Sequence, residues 1–192
     1  MILTPELTGE YRRLWTECQI RSERVQPTRA IVQKIMDNSA RYEAVAAGTV
    51  IPWWAVALIH RMEAGGNFGL HLHNGDPLRA RTVQYPSGRP AKGDPPFTWE
   101  ESAVDAILFE RWDKWTDWSL PGTLYKLESY NGMGYRKHHP AVLTPYLWAG
   151  SILYVRGKYT GDGQFDPATI SKQIGAAVVL KELESQGKIA LV

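Results

Sequence analysis

The chain has 192 residues, which is enough for one domain with a sizeable core. A charged fraction of 22% and a hydrophobic fraction of 44% exclude an intrinsically disordered chain. The net charge of +2 does not indicate nucleic-acid binding, although it is compatible with an anionic polymer such as a bacterial cell wall.

Two local features of the sequence bear on the cellular location of the protein. The only cysteine is Cys18, so an internal disulfide is impossible. The N-terminal residues lack the basic region and apolar run of a signal peptide, and no stretch approaches the roughly 20 apolar residues of a membrane span. We therefore expect a cytoplasmic monomer without a signal peptide and without membrane insertion.

The N-terminal third is predicted to be helical. Thr4 and Pro5 suit the N-cap and first position of a helix over residues 4–20, whose apolar face consists of Leu7, Tyr11, Leu14, Trp15 and Cys18. A polar segment over residues 21–27 is expected to end this helix. A longer helix is predicted over residues 28–47.

The central helix begins at Pro52 and is apolar almost all round, which predicts burial. Gly65 and Gly66 supply the left-handed conformation that ends a helix. The pattern then changes: Asn74-Gly75 is a strong turn signal. Thr82, Val83 and Tyr85 have strand character, so we predict an irregular β-hairpin or three-stranded flap over residues 69–89.

The C-terminal half returns to helices. Thr98 and Glu101 form a capping-box pattern for a helix reaching about Trp112, with Ala103, Ile107, Leu108 and Phe109 predicted to face inward. Short helices are expected over residues 124–130 and from Thr144-Pro145, with a polar loop over residues 129–139. Asp166-Pro167 predicts the start of the last helix, with Ile170 on its inner face.

These elements predict one mainly α (α+β) domain over residues 1–192, with residues 1–50 packed on it as N-terminal helices. The eight Trp and nine Tyr residues exceed what a core usually needs. They favour either a sugar-binding groove lined with flat rings or a tryptophan-rich core.

Glu63 is the leading catalytic candidate. It falls in the last turn of the predicted central helix, where the dipole disfavours an anion, and partial burial is expected to disfavour the charge further. Both effects raise the pKa and suit a general acid. The alternative is a solvated helix-end residue.

Asp76 follows Glu63 by thirteen residues, and Thr82 follows Asp76 by six. An acid at a helix end followed by a carboxylate and a hydroxyl on a hairpin can surround one glycosidic bond, with the second carboxylate activating water or stabilising the transition state. Taken alone, Asp76 would be a turn residue, because Asn74-Gly75-Asp76-Pro77 is turn chemistry.

The order Glu63, Asp76, Thr82 resembles the lysozyme superfamily, specifically phage-type peptidoglycan hydrolases (endolysins). The Asp-to-Thr spacing matches that branch, whereas the gap between Glu63 and Asp76 is longer. Ser129-Tyr130-Asn131-Gly132 is similar to the Tyr-Asn segment of goose-type lysozymes and lytic transglycosylases. The resemblance implies a lysozyme-like helical domain with a small β-hairpin and a cleft between two lobes.

The resemblance also implies muramidase activity, the cleavage of the β-1,4 bond between N-acetylmuramic acid and N-acetylglucosamine in phage-mediated host lysis, which would put the protein in the host cytoplasm before release to the cell wall. The expected partner is peptidoglycan. The expected substrate-binding residues are Phe68, His71, His73, Tyr130, Asn131 and Tyr135.

Other interpretations stay open. His71, His73 and Asp76 could ligate zinc, although we expect no metal and no cofactor. A lytic transglycosylase would use Glu63 as acid and then base without an essential second carboxylate. A chitinase or chitosanase, or a non-catalytic wall-binding or phage structural protein on the same fold, is also possible.

Overall fold

The computed structural model describes residues 2–191 of the chain. The fold class is the predicted one, mainly helical with one small antiparallel sheet in the described residues. In chain order the helices are α1 Pro5–Glu17, α2 Ser22–Asp37, α3 Ser39–Ala46, α4 Trp53–Ala64, α5 Trp99–Phe109, α6 Leu120–Tyr130, α7 Gly134–His138, α8 Pro145–Trp148 and α9 Ala176–Ser185. A 3-10 turn lies at Trp112–Lys114, and the strands are β1 Lys158–Gly161 and β2 Gln164–Asp166.

The described residues form two compact units. The continuous unit comprises residues 35–118, and the split unit comprises residues 2–34 and 119–191. No described helix is both long enough and apolar enough to cross a membrane.

In the continuous unit, α3 packs against both α4 and α5. Nine of the twelve residues of α4 are buried, which agrees with its apolar sequence. The predicted capping box of α5 is present, because Thr98 accepts from the Glu101 amide and Glu101 accepts from the Thr98 amide.

In the split unit, α1 packs on α6, and α8 packs on α9. The hydroxyl of Thr4 accepts a hydrogen bond from the Leu7 amide, so the predicted N-cap is confirmed. The predicted apolar face of the first helix is buried throughout. Gly175 lies so close to α8 that an added Cβ would stand 2.2 Å from the Leu147 carbonyl oxygen.

Several predicted boundaries are wrong. The polar segment over residues 21–27 opens α2 and does not separate two helices, since Pro27 lies inside that helix. The long helix over residues 28–47 is divided between α2 and α3. The loop over residues 129–139 contains α7, and α6 begins four residues earlier than predicted, after the Ser119 cap.

The predicted β-hairpin over residues 69–89 is also wrong. That segment is a loop with one isolated bridge between Leu70 and Pro77. The two described strands lie instead on either side of the Asp162-Gly163 turn, with Tyr159 opposite Phe165.

Further along the chain, Asp166 ends β2 and does not cap a helix, and Ile170 is exposed. Leu108 and Phe109, which were predicted to face inward, are exposed as well.

The burial of the tryptophans shows whether they line a groove or fill a core. Five of the eight are buried and three are half-buried. Trp99, Trp112 and Trp148 are among the largest fully buried side chains. The tryptophans therefore build the two cores.

Candidate functional site

Glu63 lies in the last turn of α4, in the continuous unit. The structure describes all twelve residues of this helix, and Glu63 alone among them is exposed to solvent. The partial burial predicted for this carboxylate is therefore wrong, whereas its helix-terminal position is as predicted. Gly65 and Gly66 follow with φ angles of 65° and 78°, which favour glycine and turn the chain away.

Asp76 is the carboxylate around which the loop over residues 74–84 is arranged. Its Oδ2 accepts hydrogen bonds from the amides of Val83 at 2.8 Å and Gln84 at 3.2 Å, and from the side chain of Asn74 at 3.1 Å. The Val83 hydrogen bond contributes most to lowering the pKa of Asp76 below its usual value. Glu63 is not among the described partners of Asp76. The contacts of Asp76 with its own loop favour a structural role for this carboxylate.

Thr82 closes the next part of the same loop. Its buried hydroxyl donates to the carbonyl of Pro86 and accepts from the Arg89 amide at 2.9 Å. Its backbone amide donates to the Arg89 carbonyl at 2.8 Å. The hydroxyl predicted to position water is therefore engaged within the loop.

His71 ties the loop to α5. The ring is fully buried, with Nδ1 2.8 Å from Ser102 Oγ and Nε2 2.8 Å from the Ala80 carbonyl oxygen. Because a carbonyl oxygen only accepts, Nε2 carries a proton and donates it to the Ala80 carbonyl. A substrate could contact this ring only after the loop opened.

His73 also connects the loop to α5. Its Nε2 lies 2.9 Å from Asp105 Oδ2, which also accepts from Arg89 Nε at 2.8 Å. Burial lowers the pKa of His73, and the hydrogen bond that its ring donates to Asp105 opposes this effect. No group of three or more His, Cys, Asp or Glu residues in the described chain is placed to hold a metal ion.

Ser102 and Asp105 were not anticipated from the sequence. They lie three residues apart on α5, a spacing that places both on one helix face. This spacing was visible in the sequence. It indicates a function for Ser102 and Asp105 only when the loop containing His71 and His73 is known to pack against α5.

Phe68 belongs to an aromatic cluster within the continuous unit. Its ring centroid lies 4.6 Å from that of His60 and 4.8 Å from that of Trp99, and the Arg41 guanidinium lies 3.9 Å from the Phe68 centroid. Burial lowers the pKa of His60 to about 4. The Tyr42 hydroxyl lies 3.1 Å from His60 Nδ1.

The remaining candidates lie in the split unit, around the end of α6. Tyr130 is half-buried, Asn131 is exposed, and Tyr135 is buried. The hydroxyl of Tyr135 accepts a hydrogen bond from the backbone amide of Tyr159 at 3.2 Å, and the two rings meet edge to face at 5.1 Å. Helix α7 is thereby fixed to strand β1.

A buried ion pair connects α6 to α7. The Tyr11 hydroxyl donates to Glu128 Oε2 at 2.7 Å, and Arg136 Nε lies 2.9 Å from Glu128 Oε1. Burial raises the pKa of Glu128, while Arg136 opposes the shift. Arg136 also donates to Glu10 at 2.9 Å. Neither Glu128 nor Arg136 was predicted from the sequence.

A pocket of about 340 Å³ opens beside these residues, within the split unit. We name it the tyrosine pocket, and its lining residues are Asn131, Gly134, Tyr135, Pro145, Tyr146, Lys158, Tyr159, Gly161, Asp162, Gly163, Ser171 and Gln173. Two of the predicted sugar-binding residues, Asn131 and Tyr135, thus share one cavity. Tyr130 is not among the lining residues.

The chain matches no protein-family model, no curated protein sequence and no solved structure.

Proposed function

We propose that the protein is a glycoside-bond-cleaving enzyme acting on peptidoglycan, with Glu63 as the general acid. The observation that carries this proposal is the exposure of one carboxylate at the end of an otherwise inward-packed helix. Such a helix holds the backbone of Glu63 rigidly while the side chain stays within reach of a polymer. A precisely held proton donor is what cleavage of a glycosidic bond requires.

Two further observations support a saccharide substrate. The tyrosine pocket combines flat rings with amide and hydroxyl groups, and its volume falls within the range of small-ligand sites. Asn131, on its wall, lies in the Tyr-Asn segment that resembles goose-type lysozymes, and Tyr135 is a predicted substrate-binding residue. The mild positive charge of the chain suits an anionic wall polymer.

In the proposed reaction, Glu63 gives its proton to the leaving glycosidic oxygen as the bond from that oxygen to C1 breaks. In a muramidase, water then attacks C1 and loses a proton to a carboxylate. The enzyme cleaves between N-acetylmuramic acid and N-acetylglucosamine.

The contacts of Asp76 favour a second candidate, a lytic transglycosylase. Because Asp76 Oδ2 is engaged by three donors of its own loop, a mechanism that needs no second carboxylate gains support. There, the 6-hydroxyl of the muramyl residue attacks C1, its proton returns to Glu63, and a 1,6-anhydro product forms. The two products differ by one water.

The test is clearance of a purified peptidoglycan suspension by the full chain, followed by mass spectrometry of the products. Glu63→Gln should lower the rate by roughly 100-fold or more, since positioned acids contribute about that much. Glu43→Gln is the matched control, because Glu43 is an exposed carboxylate on α3 of the same unit. Lytic activity of Glu63→Gln equal to that of the Glu43→Gln control rules out the assignment.

A further inference from the structure

The tyrosine pocket is lined by two residues of opposite charge, Lys158 and Asp162, and neither forms an ion pair with a described residue. Lys158 lies on β1 with its side chain on the pocket wall, and it makes no ion pair with any described residue. By contrast, the neighbouring cation Arg136 is already paired with Glu10 and Glu128. An unpaired ammonium beside a concave aromatic surface is positioned to attract an anionic group on a ligand.

The rest of the wall restricts what that ligand can be. Tyr146 and Tyr159 offer ring surface. The side-chain nitrogen of Asn131 lies 3.5 Å from Thr144 Oγ1, and its side-chain oxygen has no partner in the described chain. A ring with an apolar face, hydroxyl groups and an amide N–H satisfies these surfaces, and an N-acetylhexosamine has all three.

Asp162 is the opposing charge. It lies on the same wall, in the turn between β1 and β2, and forms no ion pair with Lys158. A ligand carboxylate would therefore be attracted by Lys158 and repelled by Asp162.

We propose that the tyrosine pocket binds the muramyl residue of peptidoglycan and that Lys158 selects it by pairing with a carboxylate on its 3-O substituent. The inference rests on the proposed function and names its specificity: chitin, which is built from neutral N-acetylglucosamine, offers no such carboxylate. The acid is either the lactyl group itself or the free carboxylate of an attached stem peptide.

The test measures how tightly three soluble ligands bind to the full chain carrying Glu63→Gln. The NMR chemical shifts of the pocket residues report the binding. N-Acetylmuramic acid should bind roughly two- to fivefold more tightly than N-acetylglucosamine, the range expected for a solvent-accessible ion pair, and the difference should shrink as salt is raised. Muramyl dipeptide, whose lactyl carboxyl is amidated, distinguishes the two sources of the carboxylate. If it binds more tightly than N-acetylglucosamine, the partner of Lys158 is on the peptide. If it binds no more tightly than N-acetylglucosamine, the partner is the lactyl group.

Two variants make the assignment specific. Lys158→Met should equalise the affinities for the acidic and the neutral sugar, whereas Asp162→Asn should widen the difference. Lys188→Met is the matched control, because Lys188 is exposed in the same unit and is not part of the pocket. Equal affinities in the parent protein, or a preference that survives in Lys158→Met, overturn the proposal.

Failure of this inference is distinguishable from failure of the proposed function. If peptidoglycan is cleaved in a Glu63-dependent way without Lys158-dependent binding, the pocket assignment alone is wrong. If binding depends on Lys158 but no bond is cleaved, the pocket stands and the protein is a wall-binding protein without catalytic activity.

Discussion

Asp76 Oδ2 lies 2.8 Å from the backbone nitrogen of Val83, seven residues further along the chain. This hydrogen bond replaces the cross-strand pairing that the strand-like residues of the segment had predicted. The other oxygen, Oδ1, accepts no hydrogen bond from the described residues. One carboxylate thus both shapes the loop and keeps one oxygen uncommitted within it.

Asp76→Asn should separate a structural role from a chemical one. Charge-assisted hydrogen bonds weaken when the acceptor becomes neutral, so we expect a loss of roughly 2 kcal/mol in the free energy of unfolding at pH 7. Amide hydrogen exchange at Val83 and Gln84 should accelerate. In the wild type this stabilisation is present above the unfolded-state pKa and is lost as the pH falls through the lowered folded-state pKa.

The control for Asp76→Asn is Asp94→Asn, because the Asp94 side chain is 97% exposed in the same unit. That change should alter stability by less than about 0.5 kcal/mol. A different outcome, in which Asp76→Asn abolishes peptidoglycan cleavage while stability and exchange stay at wild-type values, assigns Asp76 to the chemistry and favours hydrolysis by two carboxylates.

His60 should make the continuous unit sensitive to mild acid. Its folded-state pKa of about 4 lies below the unfolded value of about 6.5, so the unfolded chain takes up the proton first. Stability is therefore full above pH 6.5 and falls between pH 6.5 and 4, by on the order of 3 kcal/mol at the lower end. Urea unfolding measured across this range should show the slope.

His60→Gln isolates the contribution of this residue, because it removes the titrating ring while His73 continues to titrate in the same direction. The variant is expected to be less stable at pH 7 but to lose less stability on acidification. An unchanged pH slope in His60→Gln refutes the attribution, and an NMR titration of the His60 ring gives an independent value.

Glu128 should be essential to the stability of the split unit. Glu128→Gln removes the charge that faces Arg136 in a buried site, and breaking such a pair costs roughly 3 kcal/mol. Glu10→Gln is the matched control, since Glu10 pairs with the same arginine but is 34% exposed, and its loss should cost less than about 1 kcal/mol. Equal effects in denaturant unfolding would show that burial does not distinguish the two pairs.

The helices were predictable where their signals are local. The Thr4 cap, the Thr98 capping box and the Gly65-Gly66 end each depend on residues within one or two turns. Predicted helix boundaries were wrong where the same side-chain hydrogen bonds can either cap a helix or form a turn. Asp166 accepts from the Ala168 amide and the Thr169 hydroxyl, which forms a turn with the same hydrogen bonds that would cap a helix.

The site was less accessible to sequence reasoning because its contacts are long-range. Glu63 was located at a helix end correctly, but its exposure depends on what packs around α4. The loop around Asp76 uses side chains in place of a β ladder, so strand propensity was misleading. Likewise, Asn131 was predicted from a local motif and Tyr135 from its aromatic ring, whereas Lys158 and Tyr159 reach the same pocket from a strand that the sequence had not indicated.

The division of the chain into a continuous and a split unit has a consequence for biogenesis. Residues 35–118 are uninterrupted, so this unit can fold as soon as it leaves the ribosome. The split unit must wait, because Tyr11 on α1 finds its partner Glu128 only 117 residues later. During synthesis we therefore expect α1 to remain without its packing surface until α6 emerges, and pulse-labelled hydrogen exchange on arrested nascent chains should show α4 protected before α1.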